Sequence, residues 1–227
     1  ISGLREKELI RDSFGKYVTK QVVDELLQGR LKLGGERVDV TILFSDIRGF
    51  TSISEKEKPE EVVKLLNEYF TMMVNTIIRY EGTIDKFIGD GILTIFGAPI
   101  RHKDHAQRAI DAAIAMQDEL VIFNRLREKE GKTPIRVGMA INTGEAIVGN
   151  IGSELKMEYT VIGDTVNVAS RVEELNKQFG TEILITHNVY TNATKSLNVK
   201  KLTPTALRGR KDLIQLYELK GTNISNK

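Results

Sequence analysis

The 227-residue sequence has no cysteine and no tryptophan, only four prolines and three histidines, and almost no net charge. Without cysteine there is neither a disulfide framework nor a thiolate nucleophile, which accords with a reducing compartment. His102, His105 and His187 lack the companions of a zinc site and read as ordinary surface residues. The 33 basic and 31 acidic side chains leave a formal charge of +2, too weak a field to point to a nucleic-acid partner. No apolar run approaches bilayer length, and no secretory leader is expected ahead of the first helix. What is present is a 41% hydrophobic content, enough for one substantial α/β domain with a short extension. Because the chain starts at Ile1 and not at Met, it reads as a piece of something longer, with sensor or membrane segments expected upstream.

Residues Leu4 to Leu27 carry Leu9, Ile10, Phe14, Val18, Val22, Val23, Leu26 and Leu27 at helical spacings, which predicts a helical lead-in able to pair with its copy. A basic stretch, Arg30 to Arg37, connects it to an apolar run, Val38 to Phe44, that reads as a buried strand. Next comes a helix with Pro59 in its first turn and Glu60 and Glu61 at its positive end. Its buried stripe is Val62, Leu65, Leu66, Tyr69, Phe70, Met73 and Ile77. A hairpin over Thr83 to Phe96 follows, then an Ala-rich helix from Asp104 to Glu130. A strand from Ile135 to Asn142 and another from Glu145 to Asn150 are separated by a turn at Gly144. This order is β-α-β-β-α-β, a ferredoxin-like α+β core, to which a Met157 to Ile162 strand, a helix from Asp164 and terminal β segments are appended.

Two aspartates stand out within that plan. Asp46 ends the first strand in Phe44-Ser45-Asp46-Ile47-Arg48-Gly49-Phe50-Thr51, and Asp90 sits in a Gly-Asp-Gly turn of the hairpin. Either alone could simply bond nearby amides. As a pair of hard oxygen ligands on strand ends they suit magnesium-assisted phosphoryl transfer, with two ions ~3.5–4 Å apart. Gly49, Phe50 and Thr51 would supply backbone N–H groups for a triphosphate. A second cluster lies in Tyr159-Thr160-Val161-Ile162-Gly163-Asp164-Thr165-Val166-Asn167-Val168-Ala169-Ser170-Arg171. Asp164 or Thr165 can cap a helix there, on which Asn167 and Arg171, four residues apart, share a face. That face offers hydrogen bonds to a sugar and a charge for a phosphate, unless Arg171 is spent on Glu174.

These three motifs, in this order, resemble the catalytic domain of the class III nucleotidyl cyclases, the adenylyl and guanylyl cyclases of bacteria and animals, from Arg37 to Leu219. Phe14-Gly15-Lys16-Tyr17-Val18 also resembles the segment preceding many bacterial members. The resemblance implies that Asp46, Asp90 and the carbonyl of Ile47 hold two Mg²⁺ or Mn²⁺ ions, one helping to ionise the ribose 3′-hydroxyl and one anchoring the triphosphate. It implies that Lys86 and Thr160 read the purine, Asn167 orients the ribose and Arg171 stabilises the phosphate under attack. A phosphate-binding lysine of the family falls on Arg208, which keeps the charge but changes its shape.

The resemblance further implies a homodimer whose two sites each draw the metal aspartates from one subunit and the Lys86, Thr160, Asn167 and Arg171 set from the other. A Lys86 ammonium donates to adenine N1, whereas guanine carries a proton at that position, so the expected reaction is ATP to 3′,5′-cyclic AMP and pyrophosphate. Threonine at 160 resembles the subgroup that includes bicarbonate-responsive cyclases. The expected division is 1–36 lead-in and linker, 37–220 catalytic domain and 221–227 tail. The domain is expected to be cytoplasmic, in a full-length protein that is either soluble or membrane-attached and carries an upstream sensor or regulatory region. The rivals are a guanylyl cyclase, a diguanylate cyclase or polymerase palm lacking the Asn167–Arg171 helix, and a catalytically silent dimerisation or ligand-binding domain.

Overall fold

A computed structural model of the chain describes residue 23, residues 33–209 and residues 212–223. The expected helical lead-in therefore lies outside the described residues, apart from Val23, which is buried.

Strand β1 (Gly34–Ile47) is apolar on both faces because both are covered. Val38, Val40 and Ile42 enter one core, and Leu43 and Ile47 enter another on the opposite side of the sheet. After the short helix α1 (Phe50–Lys56) comes α2 (Pro59–Arg79), whose Leu65, Tyr69, Met73 and Ile77 are buried as the period predicts. Each such side chain contributes about 1.5–3 kcal/mol by leaving water. Strands β2 (Thr83–Ile88) and β3 (Gly91–Phe96) form the hairpin, and α3 (His105–Lys129) returns beside α2. His105 is not the expected surface histidine. It is buried, with Nδ1 2.7 Å from the Thr41 hydroxyl, which is why the ring is held against the sheet.

Strand β4 (Val137–Gly152) is continuous through Gly144, where two strands were expected. Fourteen register pairs with β1, from Gly34↔Asn150 to Ile47↔Val137, keep it extended. Strands β2, β3, β1 and β4 lie in that order, all antiparallel neighbours, which is the ferredoxin-like arrangement expected from the sequence. Strand β5 (Met157–Ile162) pairs with the end of β4, and helix α4 (Asp164–Phe179) crosses the face away from α2 and α3. Strand β6 (Ile183–Thr186) then pairs in parallel with the start of β4. Helix α5 (His187–Asn192) and strands β7 (Leu197–Lys201), β8 (Thr205–Ala206), β9 (Leu213–Ile214) and β10 (Leu216–Thr222) complete the chain, β10 and β7 extending the main sheet.

One backbone contact fixes how β1, β4 and β5 sit together. Gly149 is paired with Gly35 on one side and Thr160 on the other. A Cβ at 149 would lie 2.2 Å from the Gly34 carbonyl oxygen and 2.5 Å from the Gly35 Cα. Only hydrogen fits between these strands.

Candidate active site

Asp46 leaves the end of β1, and Asp90 occupies the two-residue link between β2 and β3. The pairing of β1 with β3 brings the two together: the Ile47 N–H donates to Asp90 Oδ2 at 3.0 Å. Burial, a hydrogen bond to Asp90, and the charges of Asp90 and Glu173 push Asp46 up to about 7, outweighing the nearby Arg48 guanidinium. Gly91 leaves room for this arrangement, since a Cβ there would sit 3.3 Å from Asp46 Oδ1. Two half-buried carboxylates facing one another are a poor arrangement alone and a good one around a divalent cation. Among the described residues no cluster of three or more metal-ligating side chains exists, so the remaining ligands would come from main chain, water and phosphate oxygens. That is the usual coordination of Mg²⁺ at nucleotide sites.

Gly49, expected in a turn, is the N-cap of α1 with φ 67°, and Phe50 and Thr51 form the first turn of that helix. Their N–H groups have no partner within the helix, so the backbone donors expected for a triphosphate are those of a helix N-terminus two residues beyond Ile47.

Lys86 and Thr160 lie on different strands, β2 and β5, yet converge on one carboxylate that the sequence reading missed, Asp85. Thr160 Oγ1 donates to Asp85 Oδ2 at 3.0 Å, and Lys86 Nζ is 3.7 Å from the same oxygen. Burial pushes the Asp85 carboxyl up, opposed by Thr160 and Lys86. Lys86 also reaches Glu158 Oε2 at 2.9 Å, the main cause of its own raised pKa. The available signal was an acidic residue within an apolar strand, directly before the lysine.

The third group forms on α4. Asn167, Ser170, Arg171 and Glu174 line an open pocket of about 400 Å³ together with Arg208 and Gly209 from the loop after β8. The expected amide, guanidinium and late cation are thus neighbours. No ion pair joins Arg171 to Glu174 among the described residues, and both side chains line the pocket. The N-cap residue is Gly163, and Thr165, one of the two expected caps, donates its Oγ1 instead to the Glu145 carbonyl at 2.6 Å. Glu173, on the opposite side of α4, faces Arg48 at 3.5 Å and ties this helix to the end of β1. Asp46, Asp90, Lys86 and Thr160 do not line the α4 pocket. Another cavity, about 340 Å³ between α3, β6 and β10, contains none of the expected residues.

The family model described as the adenylate and guanylate cyclase catalytic domain matches residues 35–221, and the chain belongs to that family. Adenylate cyclase 1 of Rhizobium meliloti is 36% identical over 212 residues, covering 92% of this chain and 32% of that protein. The chain therefore spans about a third of that relative's length. The adenylyl cyclase CyaB from P. aeruginosa superposes with a TM-score of 0.78 at 35% identity, covering 85% of this chain and 98% of that one. The guanylyl cyclase Cya2 superposes with a TM-score of 0.76 at 40% identity, covering 86% and 98%.

Proposed function

We propose that this domain is an adenylyl cyclase, converting ATP to 3′,5′-cyclic AMP and pyrophosphate. The observation that carries the choice of nucleotide is the pairing of Lys86 with Thr160 on Asp85. An ammonium and a hydroxyl side by side can donate to adenine N1 and accept from its 6-amino group. Guanine presents a proton and an oxo oxygen at those positions.

In the reaction the ribose 3′-hydroxyl gives up its proton to solvent, its oxygen forms a bond to the α-phosphorus, the bond from that phosphorus to the bridging oxygen breaks, and pyrophosphate leaves. Asn167 orients the ribose, Arg171 meets the charge that grows on the α-phosphate, and Arg208 and the N–H groups of Gly49, Phe50 and Thr51 hold the phosphates. Class III cyclases depend on metal, generally Mg²⁺ or Mn²⁺. Here Asp46, Asp90 and the Ile47 carbonyl would hold two ions per site, supplying Lewis-acid charge to the 3′-oxygen and the triphosphate.

The carboxylates and the α4 pocket do not meet within one chain, which supports a homodimer with two composite sites related by its two-fold axis. Exposed apolar side chains of Phe87 and Ile88 on β2 and of Ile162 on β5, beside Lys86 and Thr160, give that partner a surface to cover. An upstream sensor region fits the greater length of the curated relative. Among the described residues no helix is long and apolar enough to cross a membrane, and a cytoplasmic catalytic domain is part of this reading. Regulation by bicarbonate is proposed from Thr160 alone.

The likeness to the guanylyl cyclase Cya2 favours GTP as the second reading. A catalytically silent domain would have no reason to keep Asp46, Asp90 and Arg171 together. Product analysis after incubation with ATP or GTP, with each metal and with or without bicarbonate, separates these readings. Cyclic AMP as the main product is expected. Cyclic GMP as the main product, or no product with either nucleotide, would remove the assignment.

A further inference from the structure

Strict alternation along β2 would send Asp85 and Lys86 to opposite faces of the sheet. They do not go there, because the register with β3 slips between Ile84↔Thr94 and Lys86↔Leu93, leaving Asp85 as the extra residue of a β-bulge. The Asp85 side chain is completely buried. Its Oδ2 takes the Thr160 hydroxyl and faces the Lys86 ammonium, and the Val161 backbone also donates toward the carboxylate. A fully buried carboxylate is an expensive way to close a strand edge, where an apolar residue would serve. The arrangement calls for a role beyond packing.

That role follows from counting protons. A threonine hydroxyl has one proton and two lone pairs, and left free it rotates to serve either a donor or an acceptor. An ionised carboxylate only accepts. With its proton committed to Asp85, the Thr160 oxygen has only lone pairs to present to a nucleobase. An exocyclic amine can then donate to it, whereas a 6-oxo group meets an acceptor with an acceptor. Lys86 itself is held more closely by the exposed Glu158, at 2.9 Å, than by Asp85, at 3.7 Å, so the effect of Asp85 is on the hydroxyl.

We propose that Asp85 is a specificity-determining positioning residue: it locks the Thr160 hydroxyl as an acceptor and thereby makes an otherwise ambivalent side chain select a 6-aminopurine over a 6-oxopurine. Asp85 does not touch the nucleotide itself. The inference rests on the reading that Lys86 and Thr160 face the base.

The test is the ratio of kcat/KM for ATP to that for GTP in the wild-type chain, in Asp85→Leu, in Thr160→Val and in the double variant. Leucine has no acceptor and suits a buried site; Asp85→Ala, with the same expectation, serves if leucine does not pack. The ATP preference should fall by about tenfold or more in Asp85→Leu, because a polar group that no longer matches its partner is what sets such ratios. In the Thr160→Val background the Asp85 change should alter the ratio no further, since its effect passes through the hydroxyl. A merely structural Asp85 would lower both nucleotides alike and leave the ratio where it was. A measurement that needs no variant uses purine riboside triphosphate, which lacks the 6-amino group and should be a poorer substrate than ATP for the wild type.

An unchanged ratio in a folded, active Asp85→Leu or Asp85→Ala variant, additive effects in the double variant, or equal use of ATP and the desamino analogue would overturn this inference alone. A wild-type preference for GTP would overturn it together with the assignment as an adenylyl cyclase.

Discussion

At the scale of single residues, the Asp46 and Asp90 carboxylates are in conflict until something positive joins them. Asp46 is held at about 7 chiefly by burial and by Asp90. Replacing Asp90 with Asn removes a charge from that pair without changing its shape. The metal-free Asp90→Asn protein should therefore unfold at the same temperature as the wild type or higher, yet its turnover should fall by roughly 100-fold or more, as expected when transition-state charge is no longer met. Added Mg²⁺ or Mn²⁺ should raise the wild-type melting temperature by mass action and leave that of Asp90→Asn nearly unmoved. Paired melting curves and rate assays, with and without the ion, check this. Equal metal stabilisation of both proteins would show that the ions bind elsewhere.

At the scale of elements, β4 is the member on which the rest is registered, and Gly149 is its tightest approach to another backbone. An added methyl group at 149 would have to part β4 from the Gly34–Gly35 backbone, and would move Thr160, its partner on β5, relative to Asp85 on β2. Gly149→Ala should cost about 1–3 kcal/mol, as overpacking generally does, and should weaken discrimination between ATP and GTP as well as stability. Chemical unfolding with nucleotide competition assays would test the pair of effects, and loss of stability with intact discrimination would uncouple them. The helices and strands themselves were largely legible in the sequence. Pro59 and the stripe from Leu65 to Ile77 announced α2, and the apolar run from Val38 to Phe44 announced a buried strand. Other features were hidden for physical reasons. Helix α1 buries no residue fully and so leaves no apolar period to read. The Gly144 position resembles a turn until pairing with β1 holds it straight. The Asp85 bulge exists only as a mismatch between two strands, which one strand's sequence cannot display. The proximity of Arg208 to Arg171, likewise, depends on how the loop after β8 returns across α4, and came from family resemblance, not from spacing.

At the scale of the whole molecule, the proposed dimer gives each chain two incomplete halves of a site. If Asp46 and Arg171 serve one site from opposite chains, the Asp46→Ala and Arg171→Ala homodimers should both be nearly inactive, while a heterodimer gathers both defects into one site and leaves the other whole. Random pairing of equal amounts makes about half the dimers mixed, each with one working site of two, so co-expression should restore roughly a quarter of the wild-type rate per chain. Cyclic AMP formation by the mixture, compared with either variant alone, is the measurement, and failure to recover despite demonstrated heterodimers would place each site within one chain. The outer strand of the sheet gives the pairing a second importance. Among the described residues β2 pairs as a strand only with β3, and Phe87, stacked on Phe70, and Ile88 are each about half exposed at the sheet's edge. An apolar strand edge with free backbone donors and acceptors is a template for uncontrolled self-association. If the proposed homodimer forms, a subunit that loses its partner would be exposed to aggregation as well as deprived of catalysis, and the contact that completes the chemistry would also act as the chain's safeguard against precipitation.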